Sequence, residues 1–311
     1  LGWQYNQPVQ EFEQHVQASG MINTVAPRWF FLEANGAVSD VAEPELVSWA
    51  HANGKRVWAL VGNHFDKDLT HQHIGSSEAR AALIGQLLSL AETYQLDGLN
   101  IDFEGFYPED RDNFTAFVAE LGTAMRDQGL TLSVDVPPTG LFEWSEPFDY
   151  AAIGGYADYV ILMAYDEHWA GHPRPGSVSS LSWYQNKMDD LIVQVPAQKV
   201  IAGMPLYTRD WYESGGQNHS TDLLIPAQIE LLQRTRAQTN WDAGAGQYVA
   251  RYTQSGIAHT IWVEDSRSLA QKLQVGLDHG VAGHAYWHVG GDAPEVWKSL
   301  QNSLNYKVFG H

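Results

Sequence analysis

The feature of this sequence that most constrains its fold is the ordered alternation of short apolar segments with segments of helical periodicity. Eight strand-like segments follow one another, at Gly2–Tyr5, Ile22–Leu32, Arg56–Gly62, Gly98–Glu104, Leu130–Val136, Tyr159–Tyr165, Val200–Leu206 and Ala282–Trp287. Helical patterns lie between most of them, and one closes the chain, at Pro294–Leu304. Such alternation is typical of a parallel sheet with helical crossovers. The sequence therefore predicts an α/β fold, a (β/α)8 TIM barrel, which typically needs about 250 residues plus insertions.

One segment departs from this repeat, since residues 208–263 lie between the seventh and eighth predicted strands. It contains a hairpin pattern, in which Gln247–Tyr252 and His259–Val263 are joined through Ser255 and Gly256. We interpret the segment as a small α+β insertion on the face of the barrel where the strands end. The chain has no Pro/Ser-rich linker, so we expect residues 1–311 to form one domain.

The composition excludes several classes of function. The formal net charge is −19, and a field of that sign repels nucleic acid. The absence of cysteine excludes disulfides, zinc–thiolate sites and thiol catalysis. No apolar stretch reaches the roughly 18 residues that span a membrane, so we expect no membrane partner. The 13 histidines form no convincing metal-ligand set with carboxylates, and we expect no metal.

The most informative segment is Asp97–Glu104, which alternates in character as a strand does. Leu99, Ile101 and Phe103 point one way, and Asn100, Asp102 and Glu104 point the other. In a barrel strand one face meets the helices and must be apolar, whereas the other faces the interior. Burying two carboxylates there is costly without a purpose. They climb toward the strand end at which barrel enzymes keep their active sites.

Glu104 comes last in this row and is its most accessible carboxylate. A buried carboxylate beside a negative neighbour has a raised pKa, which suits a general acid near neutral pH. Asp102 lies deeper and is better placed to orient another group. The alternative is an acidic strand end without catalysis, such as an ion site, but the full pattern on the fourth strand favours catalysis or glycan binding.

The sequence resembles glycoside hydrolase family 18 over nearly its whole length. Asp97–Glu104 resembles the D-G-x-D-x-D-x-E signature of that family, and Met163–Asp166 resembles its sixth-strand M-x-Y-D. Gly203–Tyr207 is similar to the seventh-strand segment, and Asp265–Lys272, followed by Gly283 and Trp287, is similar to the last helix and the strand-eight tryptophan.

Within the family the resemblance is closest to bacterial spore cortex-lytic N-acetylglucosaminidases, through Leu99–Asn113 and Met163–Trp169. Asn100 departs from the broad family pattern, in which many chitinases have Asp, although the cortex-lytic branch often has Asn. We expect the Asn100 amide to donate a hydrogen bond to Asp102, lower its pKa and keep it ionised.

The resemblance implies a substrate-assisted retaining mechanism that needs no metal or organic cofactor. It implies that Glu104 protonates the glycosidic oxygen, that Asp102 holds the acetamide N–H, and that Tyr165 hydrogen bonds the acetamide oxygen. Further substrate-binding candidates are Asn100, Met163, Asp166, Tyr207 and Trp287, with Trp287 under the reacting sugar. Trp3, Tyr5, Trp211 and His168 are weaker candidates, and for the aromatic residues packing is an equal or better explanation.

The implied substrate is a polysaccharide that contains N-acetylglucosamine, either peptidoglycan or chitin. A peptidoglycan-directed N-acetylglucosaminidase is the first hypothesis. The alternatives are a chitinase or an endo-β-N-acetylglucosaminidase and, in a different class, a non-catalytic glycan-binding protein. We expect a monomer that acts outside the cytoplasm. That location is inferred from function, because the sequence, which opens at Leu1, shows no signal peptide.

Overall fold

The structure, a computed structural model, describes residues 1–141 and 145–309, the last four of them by backbone alone. Its strands are β1 (Gly2–Gln4), β2 (Thr24–Leu32), β3 (Val38–Asp40), β4 (Arg56–Gly62), β5 (Gly98–Asp102), β6 (Thr131–Val136), β7 (Tyr159–Leu162), β8 (Val200–Pro205), β9 (Tyr207–Ser214), β10 (Gln217–Leu224), β11 (Gln238–Asp242), β12 (Gln247–Gln254), β13 (Ile257–Val263) and β14 (Gly283–Trp287). Its α-helices are α1 (Val9–Ser19), α2 (Pro44–Ala52), α3 (Lys67–Ile74), α4 (Ser77–Tyr94), α5 (Arg111–Asp127), α6 (Tyr150–Tyr156), α7 (Leu181–Ile192), α8 (Ile225–Thr235), α9 (Ser266–His279) and α10 (Pro294–Phe309).

Eight parallel strands form a closed barrel, in the order β1-β14-β8-β7-β6-β5-β4-β2. The barrel closes because β1 pairs with both β14 and β2. The predicted (β/α)8 fold is therefore confirmed, with every predicted strand present. Strands β1 and β8 end one residue earlier than predicted, and two strands end earlier still, β5 at Asp102 and β7 at Leu162. Glu104 and Tyr165 consequently lie just beyond the ladder, on the rim of the barrel.

Two elements near the start of the barrel were not predicted. Strand β3 pairs antiparallel with β2 and extends the sheet at that edge. Helix α3 follows β4 and begins after Asp66, whose carboxylate accepts hydrogen bonds from the N–H groups of Asp68 and Leu69. Both elements are short, and short segments carry too few apolar repeats for periodicity to reveal them.

The insertion between β8 and β14 is an antiparallel sheet of order β10-β9-β13-β12-β11 together with α8. The predicted hairpin is present as β12 and β13, and the turn includes Ser255 and Gly256 as expected. Strand β9 begins at Tyr207, immediately after β8, so the insertion grows directly from the end of a barrel strand. It thereby stands on the rim that carries Glu104 and Tyr165.

A buried ion pair attaches this insertion to the barrel. Lys272 on α9 donates to both carboxylate oxygens of Glu264, which follows β13, at 2.8 and 2.7 Å. Gln228 of α8 binds the backbone of Glu264 in both directions, and Gln247 of β12 donates to its carboxylate. Because these groups are buried and bonded to one another, the small sheet is held firmly against α9.

Among the described residues, the apolar core of the barrel has two main parts. The larger part lies between the strands and the surrounding helices and includes Leu99, Ile101 and Phe103, as the alternation of that strand predicted. The smaller part fills the barrel interior with residues that include Trp3, Trp58 and Ile161. Within the described ranges, no helix is both long and apolar enough to cross a lipid bilayer.

Candidate active site

Strand β5 directs Asn100 and Asp102 into the barrel interior, and Glu104 follows one step beyond its end. At the other end of the strand, Asp97 has a structural part, since its carboxylate accepts a hydrogen bond from the N–H of Val57 and contacts His51. Gly98 is required by close packing, because a Cβ there would lie 2.3 Å from the carbonyl oxygen of Thr131. In the eight-residue pattern, Asp97 and Gly98 therefore have structural roles, whereas the candidate catalytic carboxyl groups lie at the other end.

Asn100 does not donate to Asp102, and that expectation was wrong. Its Nδ2 donates to Asp135 Oδ1 on β6 at 2.7 Å, and its Oδ1 accepts from Trp3 Nε1 at 2.8 Å. Burial raises the pKa of Asp102 to about 6, against the lowering effect of Arg28. The Asn100 amide points toward the neighbouring strands and not along β5 toward Asp102. The pKa of Asp102 is therefore raised by burial without an opposing hydrogen bond from Asn100.

One carboxylate oxygen of Asp102 can still accept a hydrogen bond. Asp102 Oδ1 is buried, and none of the described residues gives it a hydrogen bond. Buried carboxylate oxygens are nearly always hydrogen-bonded, and an exception calls for an explanation. An N–H group of a bound ligand would supply the missing donor.

The surroundings of Glu104 favour the protonated form of its carboxyl group. Burial raises its pKa well above the usual range, and the charges of Asp102, Asp135 and Asp166 raise it further, against the lowering effect of Arg28. A carboxyl group held protonated near neutral pH can donate a proton and afterwards accept one.

A second cluster lies where the loop after β7 meets the insertion. Asp166 accepts hydrogen bonds from the Tyr207 hydroxyl at 2.6 Å and from Arg209 Nη2 at 2.9 Å, and Arg209 also pairs with Asp222. Asp166 has a positive φ of 61°, a conformation that its surroundings must stabilise. These bonds join the loop after β7 to the insertion, so Asp166 is held by both.

Aromatic and apolar side chains complete the walls. Met163, Tyr165 and Tyr207 pack in one buried cluster, against which Trp287 also packs. The rings of Tyr165 and Tyr207 meet edge to face at 6.4 Å. Burial raises the pKa of Tyr165 well above its usual range, and the charges of Asp135 and Asp102 raise it further. The hydroxyl group therefore stays neutral. Seven of the eight predicted site residues therefore lie toward one end of the barrel, and Asn100 lies deeper in its interior, in the middle of β5.

The weaker candidates divide between the site and the packing around it. Trp3 meets Trp287 edge to face at 5.8 Å, and the exposed Tyr5 lies 5.5 Å from the same ring. Trp211 is buried and donates to the carbonyl of Gly176, which is a packing contact. His168 bonds the carbonyl of Ser177 within its own loop.

Three residues near the carboxyl groups were missed by the sequence analysis, and each had a faint signal. Asp135 occupies an inward position of an alternating strand, as Ser133 does. Arg28 interrupts an apolar strand, and its guanidinium group lies 4.9 Å from the ring centre of Tyr5. Asn63 directly follows β4, at the same rim as Glu104.

Comparisons with known proteins agree with this geometry. The family model described as "Glycosyl hydrolases family 18" matches residues 29–292. The uncharacterized glycosylase YvbX of Bacillus subtilis is 29% identical over 90% of this chain and 84% of its own length. The cortical fragment-lytic enzyme of Bacillus anthracis is 28% identical over 88% of this chain and 66% of the enzyme. A crystal structure of a chitinase from Chromobacterium violaceum has a TM-score of 0.89 at 26% identity, covering 97% of this chain and 98% of that one.

The raised pKa of Glu104 predicts a gain in stability from its removal. Above the unfolded-state pKa of the carboxyl group, the folded state must either hold a proton or bury a charge, and both cost free energy. Glu104→Gln should therefore raise the melting temperature at pH 7 by about 2 °C or more, since roughly 1 kcal/mol shifts it by that amount in a domain of this size. The gain should shrink as the pH falls to 4.5, the usual pKa of the group, because the unfolded carboxyl group is then half protonated.

Scanning calorimetry at both pH values measures this, with the exposed Glu92→Gln as the matched control. An unchanged or lowered melting temperature for Glu104→Gln at pH 7 would contradict the assigned burial cost.

Proposed function

We propose that this chain, which belongs to glycosyl hydrolase family 18 and is a glycosidase, cleaves β-linked N-acetylglucosamine glycans by a substrate-assisted retaining mechanism. The observation that carries the proposal is the pairing of two carboxyl groups with unlike surroundings. Glu104 has a pKa raised by burial and by three negative neighbours, whereas Asp102 has a buried oxygen to which no described residue donates a hydrogen bond. One suits a proton donor, and the other suits an acceptor for an amide N–H.

In the first step Glu104 transfers its proton to the glycosidic oxygen while the bond from that oxygen to the anomeric carbon breaks. The acetamide oxygen of the same sugar attacks the anomeric carbon and gives an oxazolinium ion. Asp102 Oδ1 accepts the acetamide N–H and stabilises the positive charge. In the second step the ionised Glu104 takes a proton from water while the water oxygen attacks the anomeric carbon. The bond from that carbon to the acetamide oxygen breaks, which restores the acetamide and gives net retention.

The remaining site residues hold the sugar in place. Tyr165 hydrogen bonds the acetamide oxygen through a hydroxyl that burial keeps neutral. Trp287 provides an apolar floor that the Met163 cluster supports from the side. Asp166 and Tyr207, which are bonded to each other, contact the sugar from the insertion side, and Asn100 fixes the base of the site.

The proposed substrate is peptidoglycan, and the site of action is outside the cytoplasm. The likeness to a cortical fragment-lytic enzyme over 88% of this chain supports both. Chitin is the second candidate, favoured by the 0.89 TM-score to a chitinase of nearly the same length. Glu104 is present, and this disfavours a purely glycan-binding role.

Glu104→Gln should abolish turnover and leave glycan binding intact, because the amide preserves shape but has no acidic proton. Loss of a general acid typically costs about 10²–10⁴-fold. Release of reducing ends from an N-acetylglucosamine oligomer measures turnover, and calorimetric titration measures binding, with Glu92→Gln as the control. Residual activity above about a tenth of wild type would refute the proposed role of Glu104, given the size of that effect.

Glycans without the acetamide should not be cleaved, because the acetamide oxygen is the proposed nucleophile. The measurement compares initial rates on N-acetylglucosamine and glucosamine oligomers of equal length. Comparable rates would exclude substrate assistance, and so would a glycosyl adduct trapped on a carboxylate of the protein.

Purified peptidoglycan should be degraded faster than chitin when the two are digested in parallel. Mass spectrometry of the products should find new reducing ends at N-acetylglucosamine in the peptidoglycan digest, and Glu104→Gln should release none. Digestion confined to chitin would instead establish the second candidate.

A further inference from the structure

The backbone of Glu104 is held by a side chain rather than by the sheet. Strand β5 ends at Asp102, two residues earlier, so its ladder bonds do not reach Glu104. In their place, Asn63 Oδ1 accepts the N–H of Glu104 at 3.0 Å, and Asn63 Nδ2 donates to its carbonyl oxygen at 2.6 Å. The Asn63 amide thus takes the place of a neighbouring strand.

The same amide makes all four hydrogen bonds that an asparagine side chain offers. Besides the two bonds to Glu104, Nδ2 donates to the Thr70 hydroxyl at 2.6 Å, and Oδ1 accepts the N–H of Phe65 at 3.3 Å. Asn63 is 1% exposed and Thr70 is fully buried. A rotation that exchanged the oxygen and nitrogen would set donor against donor and acceptor against acceptor, so the amide has only one favourable orientation.

The loop that carries Asn63 is held in a strained conformation. His64 and Phe65 both have positive φ, 57° and 58°, although neither is glycine. Such residues persist only where their surroundings over-determine them, and they cluster at functional sites. Gly105 follows Glu104 with φ of 75°, and a Cβ there would lie 2.7 Å from the carbonyl oxygen of Phe65. The loop therefore presses closely against the segment that bears the proton donor.

We propose that Asn63 is a positioning residue that acts through Glu104, fixing the Glu104 backbone so that its carboxyl group is aligned with the departing glycosidic oxygen. Alignment matters because misplacement of a catalytic group by about 1 Å costs roughly 10²-fold in rate. This inference rests on the proposed function, since it assigns Glu104 as the proton donor. It adds a residue on a different strand, whose side chain need not touch the substrate.

The test exploits the leaving group. A sugar leaving group needs a proton from Glu104, whereas 2,4-dinitrophenolate departs without one. Asn63→Asp keeps the shape and both acceptor bonds but loses both donor bonds, and its second oxygen would face the Glu104 carbonyl. It should lower kcat/KM for an N-acetylglucosamine oligomer by about 10-fold or more, given what general acids contribute. For the 2,4-dinitrophenyl glycoside of di-N-acetylglucosamine, the loss should stay within about threefold, because that step needs little general-acid assistance.

The protein offers a matched control, because Gln228 grips the backbone of Glu264 in the same two-bond manner, at 2.8 and 2.9 Å. Gln228→Ala should lower stability without favouring one leaving group over the other. Thr70→Val, which removes only one partner of the Asn63 amide, gives a milder variant should Asn63→Asp fail to fold, and it should shift the ratio of the two kcat/KM values in the same direction.

The outcomes separate the two proposals. A folded Asn63→Asp or Thr70→Val that loses activity equally on both substrates would overturn the positioning role and make Asn63 merely structural. A wild-type protein that cleaves neither substrate would instead refute the proposed function. Glu104→Gln provides the reference ratio, because it removes proton donation to the leaving group altogether.

Discussion

Burial of carboxyl groups within a closed barrel is the constraint on which the rest of the site depends. Asp102, Glu104 and Asp135 lie where burial raises the pKa of each, so none can hold its charge as freely as in water. Because water is excluded, each charge acts strongly on the next, and the pKa of Glu104 is raised well above its usual range. The neutral amide of Asn100 lowers the pKa of Asp135 without adding another negative charge.

Period-two alternation in the sequence predicted the strands and the face on which each residue lies. It did not predict side-chain contacts between neighbouring strands. It correctly predicted eight strands and an inward face for Asn100, Asp102 and Glu104, because alternation assigns each residue of one strand to a face. It could not show that Asn100 turns toward Asp135, since which inward side chains touch is set by the register between strands. The contact of Asn63 with Glu104 was not predicted for a related reason, because a single asparagine after a strand is typical of an ordinary turn.

The insertion belongs to the site as much as the barrel does. Tyr207 and Arg209, at the start of β9, grip Asp166 from the loop after β7, while the Glu264–Lys272 pair fixes the far end of the same small sheet to α9. The insertion, which forms one wall of the site, is thus held at two places, at Asp166 and at Lys272. Removing either partner of the Glu264–Lys272 pair would leave an uncompensated buried charge, which costs about 3–5 kcal/mol, so each partner is needed once the other is present.

The line of hydrogen bonds from Trp3 through Asn100 to Asp135 joins β1, β5 and β6, and β6 lies opposite β1 in the barrel order. It is a cross-barrel brace whose first member comes from the start of the chain. Strand β1 closes the barrel only by pairing with β14, near the other end of the sequence. During synthesis, β5 and β6 emerge long before that seam can form. Closure of the barrel around the interior carboxyl groups therefore requires β14, which follows β5 and β6 along the chain, so the buried surroundings that raise the pKa of Glu104 depend on a strand remote from it in sequence.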